Sequence, residues 1–165
     1  MANPDPVDTA WRIHAALTDW TGKVDTKASF TLTIETAIMA GILALYGSGR
    51  ALSGLQGWRS VISGTGVAML AVAMLLAVLV VIPRLRRIEH LKQEAESGHF
   101  IYFGHSRHLQ PDQISGFIEN IDLLPVLAHQ HQKMAEIAWK KHRFVQASMI
   151  AAISGASLVA IGALI

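Results

Sequence analysis

The chain has 165 residues, 52% of them apolar and 16% charged, with a formal net charge of +2 and no cysteine. That apolar share is unusual for a soluble protein of one-domain length, and the lack of cysteine excludes disulfides and thiolate metal sites.

The lead MANPDPVDTAWR is polar, so no secretory signal is expected there. After Pro4 and Pro6, Asp8 is expected to cap a helix with an apolar stripe of Ala10, Ile13, Leu17, Trp20 and Val24. Residues 7–27 then form an amphipathic helix, parted from the first apolar run only by Gly22, which a helix tolerates at about 1 kcal/mol. Residues 28–46 carry one charge, Glu35, whereas 60–82 and 144–165 carry none. At about 1.5 Å per residue, each can cross a hydrocarbon core of roughly 30 Å.

Pro83 predicts a bend or break after the second span. Beyond it, RLRRIEHLKQEAES repeats apolar residues at Leu85, Ile88, Leu91 and Ala95, and Gly98 suits the position after a helix end. HFIYFGHSRHL follows as an expected loop. Pro111 and Asp112 open a short helix with Ile114, Phe117, Ile118 and Ile121 on one face, and Asp122 is placed to cap a last helix with Pro125 in its first turn. The stripe of that helix, Leu123, Leu127, Gln130, Met134, Ile137 and Lys141, runs on into the third span.

Twelve lysines and arginines lie before the first span or between the second and third, against Arg50 and Arg59 between the first and second. The positive-inside rule then puts the N-terminus and residues 83–143 in the cytoplasm. The expected architecture is one all-α domain: three transmembrane helices continued into a cytoplasmic helical stalk, whose apolar stripes have only one another to pack on.

Glu35, the one ionisable residue in a span, belongs either on a pore or bundle interior or at the interface near Arg84 or Arg143. Ser148, Ala152, Ala156 and Ala160 recur every four residues, a spacing that lets membrane helices approach closely. Lys140, Lys141, His142 and Arg143 suit anionic headgroups at the start of the third span. Eight histidines raise the question of a metal, but His129 and His131 point to different helix faces, and His99, His105 and His108 lack a further ligand at a recognised spacing. With no nucleophile motif, phosphate loop or dinucleotide fingerprint either, neither catalysis nor a cofactor is expected, and no nucleic-acid partner.

WTGKVDTKASFTL resembles the D-x-K-A-S signature of the transmembrane effectors of the bacterial Pycsar anti-phage system, and IYFGHSRHLQPDQ resembles their F-G-H segment. WKKHRFVQASMIAAISG is similar to their basic turn running into a last span. The resemblance covers Trp11 to Ile165. It implies an inner-membrane effector that responds to cyclic CMP or cyclic UMP from a partner cyclase and damages the membrane, stopping the cell before phage spread. Asp25, Lys27, Phe103, Gly104 and His105 are the matching residues. Chemically, Arg107 or Lys27 suits the phosphate, Tyr102 or Phe103 the base face, and His105 a base edge; alternatively Asp25, Phe103 and His105 only hold the fold. The chain has no room for a separate cyclic-nucleotide β-roll, so a sensing site belongs in the stalk or between copies of a homo-oligomer. The competing expectation is an ungated membrane scaffold that docks a cytosolic partner, for example in plasmid transfer.

Overall fold

A computed structural model describes residues 4–47, 49–83 and 87–165. They form α1 (Pro6–Leu45), α2 (Trp58–Val81), α3 (Ile88–Glu96), α4 (Phe103–Ser106), α5 (Pro111–Asn120) and α6 (Leu123–Leu164), with no strand among the described residues. The helices α1, α2 and α6 are long and apolar enough to cross a membrane, in keeping with the expected all-α, three-span class. Arg84 and Leu85, which entered the expectations above, lie outside the described residues.

Local chemistry explains most of the boundaries. Asp5, not Asp8, starts α1: its Oδ1 accepts the Val7 N–H at 3.0 Å, leaving Pro6 at the first helical position, where no amide donor is needed. Asp8 falls inside the first turn and pairs with Arg12 at 2.8 Å. Pro83 ends α2 outright, with Ile82 already extended. Gly98, at φ 91°, follows α3 as expected, and the Gly98 and His99 amides return to the Ala95 and Glu94 carbonyls in a Schellman arrangement. Asp122 Oδ1 accepts the Leu124 N–H at 3.1 Å and caps α6.

The chain divides into two units. The first comprises residues 1–21 and 83–138, and the second residues 22–82 and 139–165. In the second unit, buried positions recur every seven residues: Ala28, Glu35 and Ile42 on α1; Ser63, Leu70 and Ala77 with Gly66, Ala73 and Val80 on α2; Val145, Ala152 and Val159 with Ser148, Gly155 and Gly162 on α6. A strict seven-residue repeat means 3.5 residues per turn, the period of left-handed knobs-into-holes packing. The tightest point is the crossing of Gly66 and Gly155, where a Cβ on either residue would stand within 2.6 Å of the other's carbonyl oxygen. The four-residue stripe expected on α6 therefore holds only at Ser148 and Ala152; Ala156 is half-buried and Ala160 exposed, because a four-residue step drifts off a 3.5-residue seam.

The outer surface of this unit is apolar, with Phe30, Leu75 and Ile153 each more than three-fifths exposed. Exposed hydroxyls on α1 close on their own helix: Thr26, Ser29, Thr33 and Thr36 each donate to the carbonyl four residues back. Lipid demands this of any polar group it touches. Arg59 donates from Nε to the Gly162 carbonyl and from a terminal nitrogen to the Ala163 carbonyl, satisfying the end of α6. Tyr46 and Ser63 hydroxyls meet at 2.7 Å.

The first unit follows the same repeat, but its α1 face is Ala10, His14 and Leu17. Ile13 and Trp20, expected on that stripe, are about half exposed. On α5, Phe117 stacks with Phe100 at a ring separation of 6.0 Å, whereas Ile118 points out.

Candidate functional site

The HFIYFGHSRHL segment is not wholly a loop: Phe103–Ser106 form one helical turn, and the Ser106 hydroxyl donates to the Phe100 carbonyl. Each residue of F-G-H has a separate physical role in that turn. Phe103 is two-thirds exposed. Gly104 is buried because the Tyr102 ring lies against its backbone, and any Cβ would collide with that ring. His105 is 3% exposed and its Nε2–H donates to Glu94 Oε2 at 2.8 Å, which ties the turn to α3.

Two hollows flank this turn. One, of about 600 Å³, is lined by Arg87, Glu89 and Leu91 on one side and Tyr102, Phe103 and Arg107 on the other. Its aromatic wall is a pair of rings 4.5 Å apart, tilted by 55°. The second hollow, of about 430 Å³, brings His14, Gln130 and Lys133 to the opposite side of Tyr102 and Phe103 and includes His105. Of the residues singled out from sequence, Tyr102, Phe103 and Arg107 therefore share one hollow, and His105 sits behind it as a tie to α3. Arg87, Glu89 and Lys133 were missed: they carried no motif, and only folding brings them to the turn.

Partly buried histidines meet in pairs within this unit. His99 stacks on His129 at 4.4 Å, and His14 lies 5.9 Å from His131. Burial, then the His131 ring, hold the His14 imidazole below the usual histidine range. Burial, then His129, do the same to His99, partly opposed by the Glu94 carboxylate. Among the described residues, no group of three or more His, Cys, Asp or Glu side chains is arranged to hold a metal ion.

The other expected site residues belong to the second unit. Both oxygens of Asp25 accept from Lys141 Nζ, at 2.5 and 2.8 Å, in a partly exposed pair between α1 and α6. Lys141 is thereby committed to Asp25, although its position in a basic cluster pointed to headgroups. Lys27 is exposed on α1. Glu35 is neither at a surface nor paired with a cation among the described residues: it is 1% exposed, with Oε1 2.6 Å from the Ser148 hydroxyl and Oε2 without a hydrogen-bond partner.

The geometry is that of a helical membrane protein whose first unit carries an aromatic and guanidinium-lined hollow. No curated protein and no solved structure matches the chain. The Pycsar effector protein domain matches residues 9–165, nearly its whole length. The chain therefore belongs to the Pycsar effector family, membrane proteins of anti-phage defence that act as effectors and not as cyclases.

Proposed function

We propose that this protein is an inner-membrane effector activated by a cyclic pyrimidine mononucleotide, cyclic CMP or cyclic UMP, and that activation impairs the membrane and arrests the cell. In this reading the N-terminus and the first unit are cytoplasmic, the protein acts as a homo-oligomer, and a pyrimidine cyclase supplies the ligand. The observation that carries the reading is the 600 Å³ hollow, because its lining matches what such a ligand requires. The single phosphate charge needs a guanidinium, and Arg87 and Arg107 are both present. The base needs a π face, and the exposed Phe103 with Tyr102 offers one. Glu89 can accept from a base edge, either the exocyclic amino group of cytosine or the N3–H of uracil.

Ligand control requires only that the nucleotide bind one arrangement of the helices better than another. Both α1 and α6 contribute residues to the two units. The test is titration of detergent-solubilised protein with each nucleotide, followed by thermal stability, beside co-expression with a pyrimidine cyclase while membrane potential is recorded. A saturable stability gain and depolarisation support the reading. No response to either nucleotide overturns it and favours an ungated scaffold, which would instead hold a stable cytosolic partner.

A further inference from the structure

Glu35 on α1, Ser148 on α6 and the Ala73 carbonyl on α2 meet in one node. Ser148 Oγ lies 2.6 Å from Glu35 Oε1 and 2.9 Å from the Ala73 oxygen. A serine hydroxyl has one hydrogen, and a carboxylate and a carbonyl can only accept. With an ionised Glu35, one of those two short contacts would be acceptor against acceptor. The other carboxylate oxygen would also be buried without a hydrogen-bond partner, in a node to which no cation among the described residues reaches. The neighbouring seam positions are Ala28 and Ile42 on α1, Leu70 and Ala77 on α2, and Val145 and Ala152 on α6, none of them titratable. The Asp25–Lys141 pair, ten residues earlier on α1, is closed on itself.

We propose that Glu35 is a proton-binding site: as a carboxylic acid it completes a hydrogen-bond chain joining all three membrane helices, and loss of that proton opens the bundle to water and ions. In the closed chain, Glu35 Oε1–H donates to Ser148 Oγ, whose own hydrogen goes to the Ala73 carbonyl. Every contact then has one donor and one acceptor, and the bare Oε2 is a neutral carbonyl oxygen. When the proton leaves to water, Ser148 can serve only one of its two neighbours, and the carboxylate must find solvent. Glu35 also lines an apolar groove of about 340 Å³ between α1 and α6, walled by Ile34, Ile38, Met149 and Ile153. The proton site stands on geometry alone; the opening step rests on the membrane-impairing function proposed above.

The experiment uses the full chain in lipid nanodiscs and in liposomes. Infrared spectra with isotope-labelled glutamate should show a carboxylic-acid carbonyl band at neutral pH, slow to exchange with deuterium and lost in Glu35→Gln. An ionised Glu35 in that spectrum overturns the proposal whatever the liposomes do. Glu35→Gln keeps the hydrogen-bond chain, since its amide donates where the acid did, but has no proton to lose. It should fold as wild type, bind nucleotide as wild type, and lose nucleotide-triggered efflux. Wild-type efflux from Glu35→Gln overturns the opening step. If wild type itself shows no efflux, the opening step falls with the proposed function, and the infrared band still decides the proton site. If Glu35→Gln does not fold, the wild-type band decides, with Ser148→Ala as second variant: it should remain folded and leak without ligand, and a tight Ser148→Ala channel would contradict the opening step.

Discussion

The two units use the same seven-residue repeat and fill it differently. The seam of the second unit is glycine, alanine, serine and aliphatic side chains, with a single acid closed into a hydrogen-bond node. The first unit puts histidines at equivalent seam positions, His14 on α1 and His131 on α6, and ring nitrogens of both are buried without a partner. One seam is dry and chosen for close approach, which membrane association requires because lipid offers helices no hydrophobic drive to pack. The other is titratable, exposes a phenylalanine and frames hollows. The repeat thus sets the packing geometry, while the residues placed on it decide whether a unit closes as a lock or leaves hollows.

The sharpest way to break that contrast is to fill the lock. Gly155→Leu forces a side chain into the Gly66 backbone and should cost about 3 kcal/mol or more, seen as lost thermal stability in detergent, whereas Ile153→Leu on the exposed face should be neutral. Next come the walls of the hollow beside Phe103. Arg107→Ala and Phe103→Ala should each weaken nucleotide binding by about 1–3 kcal/mol, roughly ten- to a hundredfold, with little change in folding, as calorimetric titration would read. His105→Ala should behave differently, destabilising the turn through loss of a buried bond to Glu94, with His105→Gln recovering part of the loss.

Acid should separate the units more gently. His14 and His99 are held below the ordinary value of 6.5 when folded, so the unfolded chain binds protons first as pH falls. Their neutral burial carries no penalty above about 6.5, and the first unit should loosen progressively below it. Hydrogen exchange should therefore rise in residues 88–138 between neutral pH and pH about 5. The smallest effect is expected from Asp25→Asn: a partly exposed pair contributes at most about 1 kcal/mol, and less in high salt.

Most of the helices were legible because their ends carry local chemistry, such as Asp122, Pro111 and Gly98. The three spans were legible from apolar length alone. What sequence reading missed were the seams, because 3.5- and 3.6-residue periods differ by one neighbour over a few turns. Ile13 was therefore placed inward where His14 is, and Ala156 where Gly155 is. Alanine also hides a packing face in a chain where most surfaces are apolar on both sides. At the candidate site, Tyr102, Phe103 and Arg107 were found as neighbours in one short segment. Arg87 and Glu89 lie at the start of α3 and became visible only through the fold. Glu35 was recognised as exceptional, but its partner Ser148 lies 113 residues away in sequence and Ser148's other partner, the Ala73 carbonyl, on a third helix, and nothing in their types announces the node.

The central claim is that the hollow beside Phe103 receives a cyclic pyrimidine mononucleotide. Calorimetric titration of the solubilised full chain with cyclic CMP and cyclic UMP, beside Arg107→Ala, tests it directly. Wild type should bind at least one of the two nucleotides saturably, and the variant should lose roughly tenfold or more in affinity. Binding of neither nucleotide, or equal binding by wild type and Arg107→Ala, would contradict it.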